Sequence, residues 1–158
     1  MKMLDIVSKQ AVIAQLESTT REGVIEELVG ALISAGKADE GMRADLIAKV
    51  MERERRGSTG FGKGVAVPHV KHPDVKTMAA AVGISEAGID FAALDKQPVY
   101  SFILLLSPLD RPDEHLQAME VIFKNLNQDS FRRFLRQATS TEDVMTLLED
   151  ADNDDLPA

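Results

Sequence analysis

The segment Gly57-Ser-Thr-Gly-Phe-Gly-Lys-Gly-Val-Ala-Val-Pro-His69 stands out in the middle of this 158-residue chain. Its glycines favour a loop, because glycine adopts positive φ and lets backbone N–H groups approach an anion. The apolar run Val65-Ala-Val67 favours a short strand, which Pro68 is expected to end. We therefore expect a glycine-rich loop that leads into a strand, with His69 at the end of that strand.

A short strand over 11–16 and two helices are expected before this segment. Thr19 or Thr20 can cap the first helix, and Gly36 ends it. The second helix follows Asp39-Glu40-Gly41. The apolar face of the first helix has regular helical spacing and consists of Val24, Ile25, Leu28, Val29, Leu32 and Ile33.

The second helix carries an arginine on its apolar side and ends at Gly57. Leu46, Val50 and Arg53 lie at positions i, i+4 and i+7, so they share one face. A half-buried guanidinium needs an anion or a set of carbonyl oxygens. Its stem can instead pack on the apolar face while the charged group reaches water. Both interpretations of Arg53 are open from periodicity alone.

The second half of the chain contains the strongest strand candidate, Val99-Tyr-Ser-Phe-Ile-Leu-Leu-Leu106. Its nearly continuous apolar character is typical of a central strand covered on both faces. Residues 78–84 are expected to form another strand. Since helices precede and follow the strands, we predict an α/β fold with a small mixed sheet and helices on both faces. We expect one domain over 1–150 and an acidic, frayed tail over 151–158.

Three helices are expected after the last strand. Pro112, followed by Asp113 and Glu114, marks the start of the first, because proline and acidic residues suit a first helical turn. Asp129 is expected to cap the second, and Thr139-Ser-Thr-Glu142 resembles a capping box for the third. The predicted apolar positions of the three helices are Leu116, Met119, Phe123 and Leu126, then Phe131, Phe134 and Leu135, then Val144, Leu147 and Leu148.

Composition excludes several functional classes. The absence of cysteine rules out disulfides, thiol catalysis and cysteine-bound zinc, and is consistent with a cytoplasmic location. No apolar run approaches the roughly 18 residues that a membrane-spanning helix needs, so no membrane insertion is expected. The net charge of −8 argues against nucleic-acid binding. Residues 49–72 nevertheless carry six basic side chains against two acidic ones, which is compatible with an anion site or with a helix end whose cations complement its dipole.

Two histidines are the candidate reactive groups. A neutral imidazole is a good nucleophile toward phosphorus, and His69 follows the glycine-rich loop and the short strand. His115 lies in the expected first turn of a helix, where backbone N–H groups favour an anion. Taken singly, each could be an ordinary surface or structural histidine. With Arg53, they suggest a site at which a histidine carries a phosphoryl group.

These residues also partly match two other kinds of site. Gly57 to Lys63 matches the GxxxxGK part of a nucleotide-binding P-loop, but a helix precedes it and a strand follows it, which is the reverse of the P-loop order. His69, His72 and His115 could supply three metal ligands. However, residues three apart on an extended segment point to opposite faces, so no metal site is expected and His72 is interpreted as a loop residue.

The segment from Arg53 to His69, together with Asp113-Glu114-His115-Leu116 and three closing helices, resembles the type-2 IIA domains of the bacterial phosphoenolpyruvate-dependent phosphotransferase system. This is the mannitol/fructose and nitrogen-regulatory IIA family. The resemblance covers roughly 6–149. It implies a three-layer α/β/α fold and a phosphotransferase that works as a phosphohistidine relay.

The same resemblance implies roles and partners. His69 would accept the phosphoryl group from the phosphohistidine of the carrier HPr or its nitrogen-branch counterpart, through Nε2. Arg53 would stabilise the phosphate and His115 would be the second active-site histidine. No cofactor or metal is implied. The protein would pass the group to a IIB domain, or use it as a switch toward regulatory targets, and the absence of attached IIB and IIC domains slightly favours the regulatory role. A phosphate-independent binding module is the remaining alternative.

Overall fold

The computed structural model describes residues 1–156 and places a mixed sheet between two layers of helices. The helices are α1 (Met3–Ile6), α2 (Arg21–Ser34), α3 (Arg43–Arg56), α4 (Pro112–Leu126), α5 (Asp129–Gln137) and α6 (Thr141–Asp152), with a 3-10 turn at Glu40–Met42. The strands are β1 (Val7–Ile13), β2 (Gly60–Gly62), β3 (Val65–Ala66), β4 (His69–His72), β5 (Ala79–Ile89) and β6 (Val99–Pro108). The predicted α/β class with a mixed sheet is confirmed.

Strand β6 is the centre of the sheet. Strand β5 pairs antiparallel with one edge of β6, while β3 and β4 pair in parallel with the other edge. Strand β1 extends the sheet beyond β5, and β2 extends it beyond β3. Both edges of β6 are therefore hydrogen-bonded, as its nearly continuous apolar sequence predicts.

The side chains on the two faces of β6 pack into two separate apolar cores. Phe102, Leu104 and Leu106 lie in the core that α2 and α3 cover, whereas Ile103 and Leu105 lie in the core that α1, α4, α5 and α6 cover. This alternation follows from the two-residue period of a strand. The expected placement of helices on both faces is thus confirmed.

The segment after the glycine-rich loop differs from the expectation that Pro68 ends the strand. β3 and β4 line the same edge of β6, and Pro68 interrupts the pairing only briefly, since proline has no N–H to donate. Its carbonyl still accepts a hydrogen bond of 2.9 Å from the N–H of Leu105. His69 is therefore the first residue of a second strand segment, rather than the end of the first.

Helix α4 buries a face that overlaps the predicted one, with Leu126 buried and Met119 and Phe123 partly buried against the core. Its inward residues are His115, Ala118, Ile122, Asn125 and Leu126, while Leu116 is 60% exposed. The prediction was wrong at Leu116, because the buried face is centred closer to His115, Ala118 and Ile122 than to the more apolar leucine. In α5, Phe134 is likewise 37% exposed, although Phe131 and Leu135 are buried.

Helix caps agree with the sequence in one case and differ in two. Thr20 caps α2 by accepting a 3.1 Å hydrogen bond from the N–H of Gly23, as expected. Asp129 is the first residue of α5 and forms an ion pair with Arg132, so the expected cap was wrong. The α6 cap is Ser140, which accepts from Asp143, one position beyond the expected Thr139–Glu142 box.

The chain ends contain further departures. β1 begins at Val7 rather than Ala11, because this edge strand tolerates polar residues where it is exposed. Helix α6 continues to Asp152, whose carboxylate accepts hydrogen bonds from the N–H groups of Met3 and Leu4 at 2.7 and 3.0 Å. The domain boundary at 150 stays a prediction, and positions 157–158 of the expected tail lie outside the described residues. Within 1–156, no helix has the length and apolar character to cross a membrane.

Replacement of Leu105 should test how much the fold depends on β6. Leu105 is fully buried and pairs with both His69 and Ala80. We expect Leu105→Ala to lower the free energy of unfolding by about 2–5 kcal/mol, because it leaves a cavity in the packed core. Leu116→Ala removes the same atoms from an exposed position and should change it by less than about 0.5 kcal/mol. Urea denaturation measures both, and equal losses would contradict the assignment of the buried face.

Candidate functional site

His69 has one ring nitrogen engaged and one available. Its Nδ1 lies 3.0 Å from the carbonyl oxygen of Val67. A carbonyl can only accept a hydrogen bond, so Nδ1 carries the proton and donates it. The lone pair of the neutral ring is therefore on Nε2, and the side chain is half-buried rather than enclosed. The residue is positioned by the pairing of β4 with β6.

His115 faces His69 from the first turn of α4. The centroids of the two rings are 5.8 Å apart, and the ring planes are inclined by 57°. His115 is only 6% exposed because it belongs to the inward face of the helix. Pro112 in the first turn of α4, together with the acidic Asp113 and Glu114, sets the start of this helix beside the end of β6. The structure thus brings the two predicted histidines together.

The buried hydroxyl of Ser107 fixes the tautomer of His115. Ser107 Oγ lies 2.6 Å from His115 Nδ1, and Ser107 is fully buried. Within residues 1–156 the Ser107 hydroxyl has no other hydrogen-bond acceptor, so its proton is satisfied only if it points to Nδ1. Nδ1 then accepts, and Nε2 carries the N–H group. The two rings are therefore complementary, with a lone pair on Nε2 of His69 and a donor on Nε2 of His115.

The surroundings of His115 keep its ring neutral. Burial lowers the pKa of His115 below its ordinary value, and the positive charges of Lys71 and of His69 when protonated lower it further. Lys71 lies two residues after His69 on β4 and pairs with Ser107 of β6. Because a neutral imidazole with its proton on Nε2 can still donate a hydrogen bond, a lowered pKa does not remove that capacity.

Arg53 lies at the end of α3, where the glycine-rich loop begins. It is half-buried, and its Nη1 donates a 2.7 Å hydrogen bond to the carbonyl oxygen of Gly57. Within the described residues it makes no hydrogen bond to His69 or His115. The carbonyl contact uses one N–H of the five that a guanidinium offers, and leaves the others available.

A buried glutamate that the sequence analysis did not single out holds the loop. Glu54 is 2% exposed, and its carboxylate accepts hydrogen bonds from the N–H (3.0 Å) and the hydroxyl of Thr59. Glu54 stands between basic residues and reads as a surface charge, so only its position on the Leu46–Val50 side of the helix could have signalled burial. Ser107 was also missed, although a serine that ends an apolar strand before Pro108 is a usable signal.

His72 has a structural role that differs from the predicted loop position. It is the last residue of β4 and 5% exposed. Its Nδ1 accepts a 3.0 Å hydrogen bond from the N–H of Asp74, so its Nε2 carries the proton and donates to Asp45 at 2.7 Å. This contact ties β4 to α3. Among residues 1–156, no three histidine, aspartate or glutamate side chains are grouped so that they could hold a metal ion.

The basic side chains of residues 49–72 do not gather at one place. Lys49 forms an ion pair with Asp45, and Arg56 forms one with Glu52. Lys63 lines a groove beside α5. Lys71 is close enough to His115 to influence its pKa, while Arg53 contacts the start of the glycine-rich loop at Gly57. The local excess of positive charge is therefore divided among several surfaces.

Comparison with known proteins identifies the family. The family described as "Phosphoenolpyruvate-dependent sugar phosphotransferase system, EIIA 2" matches residues 5–151. The fructose-specific EIIA component of Haloferax volcanii is 33% identical over 129 residues, which are 82% of either chain. The fructose-specific EIIABC component of Bacillus subtilis is 31% identical over 152 residues, or 96% of this chain, and the chain spans only 24% of that longer relative.

Solved structures of the same family share the fold. Nitrogen regulatory protein IIA-Ntr from Neisseria meningitidis superposes with a TM-score of 0.82 at 29% identity, covering 91% of this chain and 97% of that one. The IIA mannitol domain of Escherichia coli, solved in a complex with phosphorylated enzyme IIB, gives a TM-score of 0.75 at 19% identity, covering 90% of this chain and 96% of that one. Since the family match spans nearly the whole length, this chain belongs to the EIIA 2 family of the phosphoenolpyruvate-dependent sugar phosphotransferase system.

Proposed function

We propose that this protein is a phosphoryl carrier in which His69 accepts the group through Nε2 from the phosphohistidine of an HPr-like protein. The observation that supports the proposal most directly is the pair of facing histidines with complementary tautomers. The lone pair of His69 Nε2 attacks phosphorus as the P–N bond to the carrier breaks, and the carrier's nitrogen keeps the electron pair of that bond. The transfer needs positioning and charge stabilisation more than covalent help.

The hydrogen bond to Val67 assists this step. As Nε2 gives its lone pair to phosphorus, positive charge develops on the ring of His69. The Nδ1–H group then becomes a stronger donor to the Val67 carbonyl oxygen, 3.0 Å away, so the contact is worth more in the transition state than in the resting protein. It also fixes the ring orientation in advance.

His115 and Arg53 would bind the phosphoryl oxygens. The Nε2–H of His115 is directed by Ser107 and comes from a ring that burial keeps neutral. The ring can therefore donate a hydrogen bond without readily giving up a proton. Arg53, held at Gly57 by one N–H, has a planar fork left for oxygens and would supply positive charge. No cofactor or metal enters this scheme.

Two forms of this function differ in what happens to the phosphoryl group after it reaches His69. Regulation of target proteins by the phosphorylation state is one form, supported by the likeness to the IIA-Ntr structure from Neisseria meningitidis at 29% identity. Transfer to a IIB domain in sugar transport is the alternative, supported by the Haloferax volcanii relative. In either form the partners would be an HPr-like carrier and a protein acceptor or target, and the protein would act in the cytoplasm. Both forms require His69 to accept a phosphoryl group, which a phosphate-independent binding module would not do.

Phosphorylation should depend on His69. We expect the wild type, incubated with phosphoenolpyruvate, enzyme I and HPr, to gain one phosphoryl group by intact mass, and His69→Ala to gain none. His115→Gln should still be phosphorylated, only more slowly, since His115 assists rather than accepts. A phosphoryl group on His69→Ala would move the acceptor to another residue, and no gain in the wild type with several carriers would favour the binding module. Addition of fructose- or mannitol-type IIB domains to the phosphorylated protein then separates the two forms, because only the transport form loses its group to them.

Arg53→Ala should slow phosphoryl transfer by roughly 10²-fold, because it removes a preorganised positive charge from the phosphoryl group. Arg53→Lys keeps the charge without the planar fork and should recover only part of the rate. Quenched-flow transfer from phospho-HPr measures the rate, and circular dichroism checks that both variants remain folded. Arg56→Ala, which removes an exposed arginine of the same helix, is the matched control. Transfer unchanged in Arg53→Ala would exclude the proposed role.

Ser107→Ala should remove the preference of His115 for the tautomer with its proton on Nε2. In the wild type near pH 7, the imidazole nitrogens of His115 should show a neutral ring with the proton on Nε2 in ¹⁵N spectra. Without the Ser107 hydroxyl, we expect a mixture of tautomers and slower phosphoryl transfer, while the acceptor is still His69. Ser101→Ala makes the same change at a buried position of the same strand, and should leave the tautomer of His115 and the rate of phosphoryl transfer unchanged. A proton found on Nδ1 in the wild type would reverse the assignment.

A further inference from the structure

A concave surface lies toward the opposite end of the sheet from the two histidines. We call it the α5 groove, and it is lined by charged residues of α5 (Asp129, Arg132, Arg133, Arg136) together with Lys63 and Glu86. Its volume is about 630 Å³, within the usual range for small-molecule sites. It borders Ile84, which pairs with the start of β6 at Ser101, whereas Ser107 stands near the other end of β6. At about 3.3 Å per residue, these two ends of β6 are roughly 20 Å apart.

The groove is positively charged in an otherwise acidic protein. It has four cationic and two anionic side chains, in a chain whose net charge is −8. Arg132 is neutralised by its ion pair with Asp129 and also donates to the carbonyl oxygen of Leu126 at 2.7 Å. Among residues 1–156, no carboxylate lies within 4.0 Å of the charged groups of Lys63, Arg133 or Arg136. These three cations are therefore available to an anion.

The protein holds the cation of Arg136 and the backbone of Lys63. The guanidinium of Arg136 lies 3.5 Å from the centroid of the Tyr100 ring, a cation–π contact that fixes its plane. Stacking engages the face of the guanidinium and leaves its in-plane N–H groups for oxygens. Lys63 has a φ of 61°, a left-handed conformation that is uncommon outside glycine, and its N–H donates to Asp95 Oδ2 at 3.2 Å. The Arg136 guanidinium and the backbone of Lys63 are thus held in place before any ligand arrives.

Other lining residues fit an organic anion better than a bare ion. Ala14, Ile84 and Ala138 give the groove an apolar part that could cover a carbon skeleton, while Gln137 and Thr139 offer polar groups beside the arginines. Arginine is suited to phosphate because its fork matches two oxygens at once. Arg133 and Arg136 are one helical turn apart, so both can reach one ligand.

We propose that the α5 groove binds a small phosphate-bearing metabolite at a site separate from the phosphoryl group proposed for His69. The proposal does not depend on phosphoryl transfer, because none of the groove residues belongs to the two-histidine site.

Inorganic pyrophosphate is the probe, since it carries the phosphate charge alone. We expect saturable binding with a Kd below 1 mM, on the order expected of a weak metabolite site, in calorimetry at physiological salt. Amide chemical shifts should move at Lys63 and over 136–139. The Arg133→Gln/Arg136→Gln double variant should weaken binding at least about 10-fold, a loss of about 1.4 kcal/mol. Lys76→Gln/Lys124→Gln, which removes two exposed charges elsewhere, should keep the Kd within about twofold.

Two further variants separate this site from the others. Lys63→Gly removes a cation and relieves the left-handed backbone, so binding should weaken while the melting temperature does not fall. His69→Ala should bind pyrophosphate as the wild type does, whatever the outcome of the phosphorylation experiment. The proposal is overturned if pyrophosphate shows no saturable binding, if both double variants weaken it equally, or if the chemical shifts move at His69 and His115 instead of the groove.

Discussion

The parallel hydrogen-bonding of β4 to β6 is the constraint on which the rest of the structure depends. It places His69 opposite Leu105 and Lys71 opposite Ser107. Because β6 is buried on both faces and paired on both edges, its end is a rigid platform, and α4 begins just beyond it. The distance between the two imidazole rings is thus set by backbone pairing and by the inward face of one helix, with few freely rotating bonds between them.

Contacts from α3 complete this frame. The carboxylate of Glu54 holds the loop at Thr59, and Asp45 on the same helix accepts the Nε2–H of His72 at the far end of β4. The helix that carries Arg53 is therefore joined to the elements on either side of His69. A buried carboxylate and a buried imidazole are costly unless they are paired, and here each is paired with a group of the site's framework. This arrangement explains how polar residues are accommodated in an otherwise apolar interior.

Much of the fold could be predicted from local pattern, and the misses have physical causes. The central strand and the start of α4 follow from a continuous apolar run and from Pro112, both of which are local signals. The buried face of α4 was wrong at Leu116, because His115 and Ala118 point inward while the more apolar leucine points out, and only tertiary packing selects between neighbouring helix positions 100° apart. The strand segment after Pro68 was missed because its pairing with β6 involves residues more than thirty positions away.

The residues of the candidate site likewise include some that the sequence predicted and some that it did not. Residue type and motif suggested His69, His115 and Arg53, since reactive and charged groups are visible in a sequence. The roles of Ser107 and Glu54 could not be predicted from the sequence. Ser107 hydrogen-bonds to His115 and Glu54 to Thr59, and only folding brings these partners together. His72 was placed in a loop for the same reason, as its partner Asp45 is 27 residues away.

The stacking of Arg136 on Tyr100 has an optical consequence. The chain contains one tyrosine and no tryptophan, so its intrinsic ultraviolet fluorescence comes almost wholly from the ring beneath this guanidinium. That ring lies at the end of the sheet remote from the two histidines. The emission of the unlabelled protein is therefore a built-in reporter of how Arg136 is positioned, and it is largely insensitive to events at His69.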